Sequence, residues 1–157
     1  MSLHLSKKLA DQKVQCLACC HKCVIAEGRA GICGVRKNVK GELDLLVYGR
    51  PVAIHVDPIE KKPLYHFLPG TEILSFGTFG CNFRCSFCQN ADMSQKSKVH
   101  KVVKSVKSIF DELEFVSPEA VVKLALKYKT PSIAYTYNEP TIFVEYAHDI
   151  MALAREA

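Results

Sequence analysis

The apolar positions of this chain fall into short strand-like runs before residue 69 and into alternating strand and helix patterns after it. Residues 43–48 and 52–56 read as strands, with turn chemistry from Lys40-Gly41 and Tyr48-Gly49-Arg50-Pro51. Glycine tolerates positive φ there, and proline presets the turn backbone. Further strands are expected at 72–76 and at 132–137. The second of these is rich in β-branched and aromatic residues and is led in by Thr130-Pro131. Between them, Ser117-Pro118 starts a helix: serine caps orphan amides, and proline at the first helical position lacks only a donor that would go unused. Val121, Leu124, Ala125 and Tyr128 give that helix one apolar stripe. Asn138-Glu139-Pro140 opens another, lined by Phe143, Tyr146, Ala147, Ile150 and Ala154.

The order strand, cysteine loop, helix, strand, helix is the mark of a parallel α/β sheet. Two regions are therefore expected, a cysteine-rich, strand-containing region over 1–68 and an α/β region over 69–157. The last helical pattern runs to Ala157 without a capping glycine or asparagine, which leads us to expect a truncated or split product, a subunit needing a partner, or an incomplete sequence.

Composition adds a class but no activity. With 157 residues, 48% hydrophobic and 24% charged, the chain is of ordinary globular make-up. No apolar run approaches the roughly 20 residues that span a bilayer, and the first residues do not read as a secretory signal. The eight cysteines cluster as C-x2-C and C-x3-C, which favours metal ligation in a reducing cytosol over disulfides, so a cytoplasmic protein without a membrane partner is expected. A net charge of +5 allows an acidic partner without requiring one. Lys96, Lys98, Lys101, Lys104 and Lys107 alternate with Val99, Val102, Val103 and Val106. No aromatic residue stands among them to stack on bases, so a solvated loop or amphipathic surface helix is expected rather than a nucleic-acid site.

The chemistry sits in Gly80-Cys81-Asn82-Phe83-Arg84-Cys85-Ser86-Phe87-Cys88-Gln89-Asn90. This C-x3-C-x2-C triplet puts three thiolates on one loop, enough for three corners of a cubane iron-sulfur cluster that normally takes four. An iron without a protein ligand is open to a substrate, as an open position on zinc is. Zinc, or a cluster whose fourth cysteine comes from elsewhere, are the alternatives.

With Phe87 directly before its last cysteine, the triplet resembles the signature of the radical S-adenosylmethionine (SAM) enzymes. In that superfamily the open iron of a 4Fe-4S cluster chelates the methionine part of SAM. Reductive cleavage then gives a 5'-deoxyadenosyl radical that abstracts hydrogen from a substrate. Asp57-Pro58-Ile59-Glu60-Lys61-Lys62-Pro63-Leu64-Tyr65-His66-Phe67, the cysteine loop, and Ile133-Ala134-Tyr135-Thr136-Tyr137-Asn138-Glu139-Pro140-Thr141 together resemble the AmmeMemoRadiSam system radical SAM enzymes, relatives of pyruvate formate-lyase activating enzymes. Members are about twice as long, so the resemblance implies the N-terminal half of one, with the first two units of an incomplete (β/α) barrel. In such barrels catalytic loops sit at the C-terminal ends of strands, where the cysteines fall here.

The resemblance assigns the site residue by residue. Cys81, Cys85 and Cys88 would hold the 4Fe-4S cluster, and Phe87 would lie near the adenine. Asn138 and Glu139 stand where the superfamily carries a glycine-glycine-glutamate-proline motif that receives the amino group of SAM. The usual glycines are replaced here by Tyr137 and Asn138. An N-cap with an acidic first turn is the structural alternative for this segment. Phe87 could instead fold into the core. Tyr135 and Tyr137 alternate on one strand face, with packing expected of at least one. An electron donor such as flavodoxin or ferredoxin is implied. The substrate is unknown, a protein glycyl residue being one that resemblance to activating enzymes allows. Two other readings stand beside the enzyme: a non-catalytic iron-sulfur or zinc binding module, and a half-length fragment that turns over nothing.

A second cysteine group lies upstream. Cys16, Cys19, Cys23 and Cys33 offer four thiolates and hence a closed tetrahedral site, for zinc or for an auxiliary iron-sulfur cluster. The family usually reads Cys-x2-Cys-Pro-His-x-Cys here, and Cys20 stands where the proline would be. Small buried hydrophobic cysteines are the alternative. His21 is left unassigned, and His66 is expected to play a structural role.

Overall fold

A computed structural model describes residues 4–95, 110 and 112–157. It is a mixed α/β arrangement of small sheets and few helices, with no closed barrel among the described residues. The lysines at 96, 98, 101, 104 and 107 lie outside those residues. No helix among the described residues is long and apolar enough to cross a membrane.

The first strands form hairpins. β1 (Ser6–Lys8), β2 (Val14–Cys16) and β3 (Val24–Ile25) pair antiparallel in that order, and β4 (Arg36–Val39) pairs with β5 (Glu42–Leu45). The β4–β5 turn at Lys40-Gly41 has positive φ at both residues, 52° and 81°, the primed-turn geometry that matches strand twist. β5 ends earlier than the pattern at 43–48 predicts, because Leu46 and Val47 turn into the core instead.

β6 (Pro51–Pro58), β7 (Glu72–Thr78) and β8 (Ile133–Tyr135) make the sheet that carries the site. β7 lies in the middle, antiparallel to β6 and parallel to β8. From Ile73 to Thr78 it is buried at every residue, as a strand covered on both faces is. β8 is shorter than the expected 132–137, since the backbone leaves the strand direction at Tyr137. Because β6 precedes residue 69 yet pairs along all of β7, the sheet is shared across the expected regional boundary. One apolar core likewise joins Val35 and Val47 to Phe76, Val121 and Tyr146.

Two helices cover the sheet. α2 (Pro118–Lys127) is capped by Ser117, whose hydroxyl accepts from the Ala120 N–H at 3.2 Å. Val121 and Ala125 are buried and Leu124 is partly so, but Tyr128 falls past the helix end and is exposed. A 3-10 turn at Pro140–Phe143 leads into α3 (Val144–Glu156). Phe143, Tyr146 and Ile150 of this segment are fully buried. Phe76 is the hub, with ring centroids of Tyr135, Tyr146 and Phe143 at 5.2, 5.6 and 5.9 Å. Such tilted and edge contacts add about 0.5–1.5 kcal/mol per pair beyond the area they bury.

One close approach governs the β7–β8 junction. A Cβ at Gly77 would stand 2.5 Å from the Thr136 carbonyl oxygen and 3.1 Å from Asn138 Oδ1. Backbone cannot move aside as a flexible side chain does, so Gly77→Ala is expected to lower stability by about 1–3 kcal/mol. Urea unfolding checks this, and an unchanged midpoint would refute it.

Candidate functional site

Parallel pairing of β7 with β8, in register at Phe76 and Tyr135, brings the C-terminal ends of both strands to one edge of the sheet. The cysteine loop leaves the first end, and Tyr137-Asn138-Glu139 leaves the second. Between them lies a cavity of about 500 Å³ lined by Cys81, Cys85, Asn90 and residues 136–139, with Lys61 and Lys62 completing its wall. That volume is within the ordinary range for small-molecule and cofactor sites.

Cys81 is buried, Cys85 exposed and Cys88 half-buried. The Cys81 Sγ accepts from the Phe83 N–H at 3.4 Å, and Cys88 Sγ lies 3.3 Å from Ser94 Oγ, on the short helix α1 (Ala91–Ser94). Cys81 and Cys85 face the cavity, whereas Cys88 and Phe87 are not part of its lining. Phe87 is 87% exposed and so is not folded into the core. Asn82 is buried beside Cys81, and its Oδ1 has no hydrogen-bond partner among the described residues. As placed, no three His, Cys, Asp or Glu side chains among the described residues converge on a metal-holding point.

Asn138 stitches the site together. Its Nδ2 donates to the Gly80 carbonyl at 2.7 Å and to Thr78 Oγ1 at 3.1 Å, while its Oδ1 accepts from the Thr78 N–H at 3.3 Å. The side chain is thus committed to the end of β7 and the start of the cysteine loop. Glu139 caps the following 3-10 turn, its Oε1 accepting from Thr141 N–H at 3.3 Å and Thr141 Oγ1 at 2.5 Å. The capping expected of this segment is present, and both residues also line the cavity.

Tyr137 has φ of +68°, a left-handed conformation that side chains other than glycine adopt at a cost of about 1–2 kcal/mol. The position that is glycine in the motif it resembles therefore keeps a glycine's conformation. The strain is held by contacts on every side. Asn90 Nδ2 donates to the Tyr137 carbonyl at 2.9 Å, and the Tyr137 hydroxyl donates to Asp57 Oδ2 at 3.0 Å. The His55 ring meets Tyr137 edge-on at 5.9 Å, and Lys62 Nζ stands 4.8 Å over its face. Asp57 pairs in register with Ile73, so the tyrosine reaches back across the sheet. Tyr135 points elsewhere, into the packing around Phe76.

Asp57, Lys61 and Lys62 form the anchor that sequence reasoning passed over. The Asp57 carboxylate accepts from Lys61 Nζ and Lys62 Nζ at 2.7 Å each, the 3-10 turn Ile59–Lys61 bringing both amines back to it. Burial alone would raise this acid, but hydrogen bonds from Lys61, Lys62 and Tyr137 outweigh it and hold the carboxyl well below the usual carboxylate range. A carboxylate lowered on folding stabilises the fold fully above its unfolded pKa of about 3.9 and ceases to do so as pH falls through the folded value. Asp57→Asn is therefore expected to be less stable than the parent at pH 7, with the gap closing steadily below about pH 4. Melting curves across pH 2–7 test this sign, and a gap that widens on acidification would refute it. The same burial and the bond to Asp57 push Tyr137 up to about 12, so it stays a hydroxyl donor.

Upstream, Cys16 and Cys33 are buried, Cys19 and Cys23 half-buried, and Cys20 and His21 exposed. His21 Nε2 lies 3.1 Å from the Asn82 carbonyl oxygen, linking this region to the cysteine loop. Arg36 is buried and grips Glu145 of α3 with both terminal nitrogens, at 2.6 and 2.5 Å. His66 sits in an exposed stretch with Tyr65 and Phe67.

A family model described as the Radical SAM superfamily matches residues 76–157, the stretch that runs from Phe76 through both cavity-lining motifs. Over 152 residues the chain is 41% identical to Uncharacterized protein MJ0808 of Methanocaldococcus jannaschii, which covers 96% of this chain and 42% of that protein. The chain thus spans less than half the length of this curated relative. No solved structure matches it.

Proposed function

The chain belongs to the radical SAM superfamily, and on that premise we propose that it carries the cluster-binding and SAM-binding part of a radical SAM enzyme. β7 and β8 with their helices are, in this reading, the first two units of the superfamily's barrel, and the cysteine-rich region over 1–68 precedes them. The observation that carries it is the shared cavity of about 500 Å³ onto which Cys81, Cys85 and Tyr137-Asn138-Glu139 all open.

The donor set suits a three-thiolate cluster. Three sulfurs stand on one loop, and a backbone N–H already points at Cys81 Sγ. Cys81, Cys85 and Cys88 would hold the 4Fe-4S cluster. When bound, the cluster and SAM supply reductive carbon-sulfur cleavage and a 5'-deoxyadenosyl radical for hydrogen abstraction. The chain's own residues bind and orient. Glu139 and the backbone at Tyr137 and Asn138 would receive the SAM ammonium group, since the Asn138 side chain is spent on Thr78 and Gly80. Asp57 and Asn90 lock Tyr137 so that this backbone keeps its shape. Phe87, exposed on the cysteine loop and outside the cavity lining, would turn in to meet the adenine. A flavodoxin or ferredoxin supplies the electron, and a protein glycyl residue is the substrate class the activating-enzyme likeness favours.

The test is electron paramagnetic resonance of the anaerobically reconstituted, dithionite-reduced chain with and without SAM, beside an assay for 5'-deoxyadenosine. A signal that changes with SAM, with deoxyadenosine formed, is the expected result. A changed signal without deoxyadenosine would keep SAM binding here and assign turnover to the longer protein. A signal indifferent to SAM and no deoxyadenosine would leave a metal-binding module and overturn the proposal.

A further inference from the structure

We propose that Cys16, Cys19, Cys23 and Cys33 form a second, closed site for a single tetrahedral metal ion of the zinc class, with Arg36 balancing its thiolate charge. The local fold gathers these residues. The Cys16 N–H donates to the Cys23 carbonyl at 2.9 Å across the base of a hairpin. Within that hairpin, the Lys22 N–H closes on the Cys19 carbonyl at 3.2 Å, and Lys22 itself takes a left-handed φ of 43°. Opposite, Gly31 and Gly34 make the tight turn that presents Cys33, with φ of 80° at Gly34. A Cβ at Gly31 would lie 3.6 Å from Cys23 Sγ, so this turn packs directly on the hairpin.

Backbone N–H groups lie near the two buried sulfurs, Ala18 by Cys16 and Val35 and Arg36 by Cys33, while burial is the larger influence and raises both thiols. A bound metal ion offsets that desolvation by taking the sulfurs as thiolates. The second, independent sign is Arg36. It is 2% exposed and stands beside Cys16 and Cys33. Its two terminal nitrogens are taken by Glu145, yet its Nε is buried with no hydrogen-bond partner among the described residues. That Nε–H is a buried donor left open in the neighbourhood of these sulfurs, and a metal-bound thiolate would satisfy it. Four thiolates around a divalent ion carry the negative charge that Arg36 balances.

Exposed Cys20 is left out, and four ligands fill the shell, so the site offers no open position and serves structure. The sulfurs do not yet converge on a metal-holding point, so binding draws the hairpin and the Cys33 turn together. Through His21 on Asn82 and Arg36 on Glu145, the ion would brace both the cysteine loop and α3.

The experiment uses the full chain with Cys81→Ala, Cys85→Ala and Cys88→Ala combined, so that failure here is separable from failure of the catalytic reading. Loaded with zinc or with cobalt alone, this chain is expected to hold about one ion, without acid-labile sulfide, and to give the thiolate charge-transfer and tetrahedral bands of cobalt in four sulfurs. Adding Cys33→Ser abolishes that stoichiometry, and adding Cys20→Ser leaves it intact. Should the Cys33→Ser chain fail to fold, the cobalt spectrum of its parent still decides between four sulfur ligands and any other set. Persistent sulfide, no bound ion, a mixed-ligand spectrum, or loss of metal in Cys20→Ser would each overturn the proposal.

Discussion

Glu145→Ala is expected to lower the unfolding free energy by about 3–5 kcal/mol, because it strips the partner from a buried guanidinium. Arg36 is 3% exposed along its side chain, so in the folded chain its charge relies on the Glu145 carboxylate. The pair joins β4 to α3 across 109 positions of sequence, so its loss would also loosen the cysteine-rich region from the sheet that carries the cavity. Replacing both partners with apolar residues, Arg36→Met with Glu145→Leu, removes the uncompensated charge and is expected to recover most of that loss in the metal-free chain. Urea unfolding of the two variants and the parent decides the matter. Equal midpoints for Glu145→Ala and parent would show that the bridge contributes nothing.

Cys85→Ala is expected to reduce 5'-deoxyadenosine formation and the SAM-dependent spectral change to the level of a protein-free control, with little change in stability. Cys81 is a poorer test, since it is buried and truncating it would also disturb packing. Cys85 is exposed on the cavity rim, where a substitution ordinarily moves stability by less than about 0.5 kcal/mol. Loss of chemistry with an unchanged melting curve therefore isolates ligation. Cys20→Ala is the matched control, an exposed thiol that does not line the cavity. If both variants behaved alike, the C-x3-C-x2-C loop would not be the seat of the chemistry.

Legibility in the sequence followed how local each signal is. α2 was readable because Ser117-Pro118 and the spacing of Val121, Leu124 and Ala125 all lie within one helix, and Ser117 caps it as read. β7 was readable because Ile73, Leu74 and Phe76 make a short apolar run just before the cysteine loop. Tyr128 fell outside the helix it was read into, since a propensity pattern does not say where the backbone turns. The short strands β1 and β4 carry little apolar periodicity, and their pairing rests on hydrogen bonds that no side chain announces. Asp57 and its two lysines stood in plain view as an acid four and five residues before an amine. Their meaning came only with Tyr137, 80 positions away.

From sequence alone came the inventory: three thiols at cluster spacing, five more upstream, the strand and helix types, and the family likeness. Those are properties of neighbours along the chain, set by spacing and by backbone preference. Tertiary structure alone decided which of them meet. Parallel pairing of β7 with β8 carried the cysteine loop and the Tyr137-Asn138-Glu139 turn to the same edge. The Asp57 anchor then held Tyr137 in a glycine's conformation, and the buried Arg36–Glu145 pair tied the upstream cysteines to α3. Each of these joins partners far apart in sequence, and its energy exists only once folding has excluded water from the space between them.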